Sequence, residues 1–196
     1  MKELKITLKG TAPLLMHSCK GVNPLHPITR QLKERTSKRK KTEEDLAEIS
    51  RLEWEQALYY DSVFGLYMPA ECLNAVLIEG GKHNKKGADL RKYCTVPNAM
   101  NYFDIGEKFK SLDDLYTKSD GRYIDCRPVS VMRAKVNRTR PRFNTWQTVF
   151  VLAYDENYID LDTIQQALEY AGRFVGLCDG RTLGYGRFET LITELN

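Results

Sequence analysis

The chain has 196 residues, of which 42% are hydrophobic and 29% charged, and a net charge of +4. That length can bury a core in one globular domain, and no apolar run approaches the roughly 18 residues that a membrane span needs. Five cysteines (Cys19, Cys72, Cys94, Cys126 and Cys178) are scattered and never form a C-x-x-C pair, which points to reduced thiols in a cytoplasm rather than a disulfide scaffold.

In chain order, Leu4, Ile6 and Leu8 alternate with polar residues over 2–9, the period of a strand and not of a signal peptide. A Pro-containing loop follows. The segment Arg30–Lys41 then gathers Arg30, Lys33, Arg35, Lys38, Arg39, Lys40 and Lys41 against one acid, Glu34. This reads either as a solvated loop or as a basic arm for nucleic acid. Thr42, with Asp45 three residues on, is placed to cap a helix running to about Tyr59. A short strand is expected at Gly65–Pro69. A helix is expected from Ala70 to about 80, opened by Pro69 and closed by Gly80-Gly81. Residues 82–121 are irregular and read as an insertion, with a strand near 99–105 and a short helix near 111–117.

From Tyr123 the pattern sharpens. Strand-like segments at 123–137 and 145–154 flank Asn137–Asn144, the expected tip of a hairpin. The interval Arg127–Arg142 holds Arg127, Arg133, Lys135, Arg138, Arg140 and Arg142 without an acid, and Phe143 and Trp146 follow. Cations along a strand can track a phosphate backbone while rings stack on bases. A soluble hairpin whose aromatics are core fits the same residues. A helix over 161–176 carries Ile164, Leu168, Ala171 and Val175 on one stripe. A glycine-rich loop then holds Gly176, Gly180, Gly184 and Gly186 among Arg173, Arg181, Tyr185 and Arg187. Glycines at this density allow positive φ and can expose N–H groups as an anion nest. A turn that only reverses the chain is the plainer reading. Residues 187–195 alternate as a closing strand.

Strand, helix, hairpin, helix and strand make βαββαβ, an α+β ferredoxin-like plan. Insertions at about 10–64 and 82–121 interrupt this single domain. Three segments resemble the RAMP superfamily, the RNA-binding proteins of CRISPR effector complexes and in particular their backbone subunits. These are the first strand with Pro13-Leu14-Leu15 and His17, the segment Tyr67–Val76, and the glycine loop Gly176–Gly186. Ala70 and Glu71 stand where that family has Gly and Ser. The ending is also similar to that of small phage-encoded proteins. The resemblance implies an RRM-like core, binding of single-stranded RNA or single-stranded DNA, and homo-oligomers lined up along the strand. It also implies membership of a CRISPR or phage protein complex. A module that imitates a CRISPR subunit is the second reading.

Some RAMP proteins cut RNA without metal, which calls for a general base and acid. His17 and His26 are the candidates, in the loop after the first strand; an endoribonuclease is the third reading, behind a non-enzymatic binder. No cofactor or metal is expected: His17, Cys19 and His26 lack the paired close spacing of zinc ligands, and no P-loop or Gly-x-Ser-x-Gly motif is present.

Overall fold

The computed structural model describes residues 1–117, 121–131 and 134–195. Two compact units emerge: Met1–Leu14 with Tyr60–Glu107 and Asn144–Asn196, and Leu15–Tyr59 with Lys108–Phe143. The protein is α+β, with six helices and antiparallel seven- and three-stranded sheets among the described residues. No described helix is long and apolar enough to cross a membrane.

The first unit is built around β1 (Lys2–Gly10), central because both of its edges are paired. On one side Ile6 opposes Phe150 of β9 (Gln147–Tyr154), and on the other it opposes Ile192 of β10 (Phe188–Leu195). Further strands are β3 (Tyr60–Asp61), β4 (Gly65–Pro69), β5 (Cys94–Thr95) and β6 (Met100–Asp104). The sheet runs β10-β1-β9-β6-β4-β3, and β5 also pairs with β9. Leu4, Ile6 and Leu8 are fully buried, each contributing about 1.5–3 kcal/mol by leaving water. Helices α3 (Ala70–Gly81) and α6 (Leu161–Tyr170) pack against each other. Their closest point is Gly80, where a Cβ would lie 2.0 Å from the Ala167 carbonyl oxygen. A short helix, α4 (Gly87–Tyr93), lies in the 82–121 stretch that the sequence leaves irregular.

The second unit holds α1 (Pro27–Thr36), α2 (Glu43–Ala57) and α5 (Leu112–Thr117). Its sheet has the order β2-β8-β7, made of β2 (Leu14–Leu15), β7 (Ile124–Val131) and β8 (Ala134–Phe143). Trp54 anchors α2: its ring is fully buried and its Nε1 donates to the Tyr123 carbonyl at 2.9 Å. The stretch expected as a basic loop or arm is helical in its first half, because Pro27 sits at the helix start, where its missing N–H costs nothing.

Thr42 caps α2 as the sequence implies, in a reciprocal capping box with Asp45. The Asp45 carboxylate is nearly buried and also accepts from Lys38 at 2.6 Å and Arg35 at 3.3 Å. Its partners, Lys38 first and then the Thr42 amide, lower its pKa from 3.8 to about 2. The folded carboxyl therefore takes up its proton at lower pH than the unfolded one. The stabilisation is complete above pH 3.8 and is lost as pH falls through about 2. A carboxyl NMR titration should place Asp45 at about 2, below the 3.8 of an ordinary aspartate, and Lys38→Ala should move it upward.

Candidate nucleic-acid interface

The glycine loop lies in the first unit. After α6 the chain makes one wide turn (Ala171–Val175), and Gly176 leaves it with φ 83°. The loop then closes on itself: Leu177 N donates to the Gly186 carbonyl and Gly186 N to the Pro13 carbonyl, both at 2.8 Å. A Cβ on Gly176 would stand 2.5 Å from the Tyr185 carbonyl oxygen, and one on Gly186 2.1 Å from that of Leu177. These two glycines are needed because backbone touches backbone. Gly180 and Gly184, with φ of 69° and 88°, bracket the tight turn Arg181–Leu183, and there a Cβ on Gly184 would meet nothing.

This bonding takes three of the four loop glycines out of the expected anion nest. The amides of Gly176, Gly184 and Gly186 all donate within the unit, to Ala171, Arg181 and Pro13. They shape the loop and have no N–H left for a phosphate. Arg187 acts as a brace: its Nη2 donates to the Arg181 carbonyl at 3.2 Å, and its buried Nη1 packs where a Gly176 Cβ would be. Arg173 and Arg181 are exposed, and Tyr185 is half-buried. Arg173 and Arg187 line a cleft of about 700 Å³, together with Thr11, Glu169 and Glu189. Within the loop Cys178 takes a left-handed φ of 61° and its thiol donates to the Met68 thioether at 3.6 Å. The neighbouring Cys72 thiol and burial raise Cys178 well above the usual thiol range.

The arginine hairpin lies in the second unit, and its register differs from the expected one. Residues 137–143 are strand rather than tip, because β8 pairs with β7 from Ile124↔Pro141 to Val131↔Ala134. Asn137–Phe143 lacks turn glycines, and its Thr, Val and Phe neighbours suit a pleat. Opposed residues on antiparallel strands project to the same side. Arg127 opposes Arg138 and Asp125 opposes Arg140. Two residues beyond Arg140, Arg142 falls on that side too. One face of the hairpin therefore carries four arginines.

Like charges directly opposed are destabilising, and two acids answer them. Arg127 is bidentate on Asp125, with Nε at 2.6 Å from Oδ1. Arg138 donates to Glu53 of α2 at 2.9 Å, and the other oxygen of Glu53 accepts the Thr139 amide at 2.9 Å. The acid-free look of Arg127–Arg142 is thus a property of the sequence interval alone: one balancing acid lies two residues before it and the other 85 positions from Arg138. Arg142 Nε is buried with no hydrogen-bond partner. Arg138 and Arg140 open onto a groove of about 850 Å³ whose other lining includes Lys33, Leu32, Gln56 and Val22.

The remaining expected residues distribute as follows. Phe143 and Trp146 are corrected from base-stacking to core: they are 0% and 2% exposed. Trp146 donates its Nε1 to the Ala12 carbonyl at 2.9 Å, and Phe143 packs on Tyr123. Lys135 is exposed on the opposite hairpin face to the arginines, and Arg39 and Lys40 are exposed between α1 and α2. Lys38 is tied to Asp45. Arg133 lies outside the described residues. His17 lines the groove, whereas His26 sits half-buried before α1 and does not. Among the described residues no three His, Cys, Asp or Glu side chains group as a metal site. No protein-family model matches the chain, and no characterised protein shows significant sequence similarity to it.

Proposed function

We propose that this protein is a non-enzymatic binder of single-stranded nucleic acid, RNA or single-stranded DNA. The observation that carries this reading is the hairpin face with Arg127, Arg138, Arg140 and Arg142 in one register. Guanidinium groups offer planar forks to phosphate oxygens. Asp125 and Glu53 hold Arg127 and Arg138 in place, and Arg140 and Arg142 extend the same cationic row. The groove beside Arg138 and Arg140 joins apolar wall to cationic rim, which suits a base beside its phosphate. Arg173 and Arg181 at the glycine loop are the second set of cations, reaching phosphate through side chains rather than through amides.

A RAMP-like, ferredoxin-like core is the second part of this proposal. Taking β1, α3, β6, β9, α6 and β10 as βαββαβ gives the neighbour order β10-β1-β9-β6, fourth-first-third-second. The second core strand is then β6, and the arginine hairpin is an insertion between β6 and β9. On that reading copies of the chain assemble along a strand in the cytoplasm, in a CRISPR or phage complex. The endoribonuclease reading has only His17 in the groove lining and no second histidine beside it to share acid and base roles.

The test is polarisation of labelled RNA and DNA single strands of about 30 nucleotides, long enough for several contacts, across a salt series. Affinity should fall with salt by a log–log slope of about −0.7 for each phosphate neutralised. Absence of binding by either strand at low salt overturns the proposal.

A further inference from the structure

Of the rings that the sequence offers for stacking, Phe143 and Trp146 are buried and Tyr185 is half-buried, but a different set is on the surface of the first unit. The chain leaves α3 through Lys82–Lys86, where Lys86 N donates back to the Gly81 carbonyl at 2.8 Å and Lys85 adopts a left-handed φ of 63°. A lysine pays for that conformation, which glycine would take freely. The turn presents His83, whose ring stacks on Tyr170 at 4.1 Å with planes 12° apart. Tyr170 in turn meets Phe174 at 5.0 Å, four residues on and so on the same side of the helix. His83 is exposed, and Phe174 is 65% exposed.

A single exposed ring is ordinary. A row of three that stays open at its Phe174 end is a platform without a partner. Its surroundings say what the partner is. Arg173 precedes Phe174 and Lys85 follows His83, both exposed. Of the acids around, Glu79 is paired with Lys82 and Asp89 with Lys86, while the charged carboxylates of Glu169 and Glu189 share the cleft with Arg173. Open aromatic faces with exposed cations on the same two segments suit a base with its phosphates better than an apolar protein surface.

We infer that His83, Tyr170 and Phe174 form a stacking platform for unpaired bases of a single strand, with Phe174 receiving the base and Arg173 and Lys85 its phosphates. This rests on the nucleic-acid reading above, and adds a site that the arginine hairpin does not supply. Every base has a π-face, so the platform is indifferent to sequence.

The experiment uses the full chain and a single strand carrying 2-aminopurine, whose fluorescence falls on stacking. Wild type should quench it. Phe174→Ala, at an exposed position, should bind roughly tenfold more weakly, lose the quenching and keep the salt slope, since no phosphate contact is removed. Phe174→Trp should restore both. Unchanged affinity and quenching in Phe174→Ala overturn the platform while leaving the hairpin reading intact. Failure of wild type to bind any strand overturns both. A Phe174→Ala variant that loses self-association instead, with strand binding intact, assigns the rings to a protein contact and also overturns the inference.

Discussion

Replacing Arg140 and Arg142 together by alanine should weaken single-strand binding about 100-fold at low salt and flatten its salt dependence. Each charged hydrogen bond is worth about 1.5–3 kcal/mol, so two lost phosphate contacts amount to about 3 kcal/mol or more. The log–log slope should become shallower by about 1.4, twice the value for one phosphate on a single strand. This pair avoids Arg127 and Arg138, whose partners Asp125 and Glu53 are buried acids. Removing either of those arginines would strand a buried acid and confound binding with stability. Both acids are largely buried, with side-chain exposures of 6% and 10%. Lys135→Ala, on the other face of the hairpin, is the control and should change little. If the double variant binds with unaltered affinity and slope, the arginine face is not the interface. Comparison of RNA with DNA in the same titration then separates the two strand types.

Much of the fold was legible because its elements carry local signals. The period-2 alternation of Leu4, Ile6 and Leu8 marks β1, Thr42 and Asp45 mark the start of α2, and Pro69 with Gly80-Gly81 brackets α3. What stayed hidden depends on partners distant in sequence. Helix α1 carries so many cations that it reads as a solvated arm, yet Arg35 and Lys38 converge on Asp45 of the next helix. The hairpin register was misplaced because 123–137 and 145–154 both read as strands, whereas β9 pairs with β1 and β8 with β7. That shift turns the supposed tip arginines into an ordered face.

The candidate site shows the same division. Residue type pointed correctly to where cations and glycines cluster, but a one-dimensional charge count missed Glu53 and Asp125. Aromatic proximity in sequence misled in a similar way. Phe143 and Trp146 follow the basic interval directly, but both point into a core and are buried. His83, Tyr170 and Phe174 come from two segments nearly 90 positions apart, and nothing in the local pattern of either segment brings them together.

Gly186→Ala should cost on the order of 3 kcal/mol and Gly184→Ala only about 1–2 kcal/mol, though both residues have positive φ. For any residue other than glycine the left-handed conformation itself costs roughly 1–2 kcal/mol. At Gly184 that is the whole penalty, because an added Cβ meets nothing within 4 Å. At Gly186 the Cβ would also stand 2.1 Å from the Leu177 carbonyl oxygen and 2.7 Å from its nitrogen. Backbone cannot yield there without breaking the Leu177–Gly186 and Gly186–Pro13 hydrogen bonds that close the loop, an overpacking term of roughly 1–3 kcal/mol. Thermal or urea unfolding of the two variants measures the difference directly. Equal losses would mean that the loop relaxes around the new methyl group and that its tight closure is not what the glycine serves. A larger loss at Gly186 than at Gly184 ties the glycine content of this loop to backbone contact. The nucleic-acid contribution of this region then falls to the side chains of Arg173 and Arg181. Substituting those two arginines by alanine should leave the unfolding midpoint nearly unchanged while lowering strand affinity.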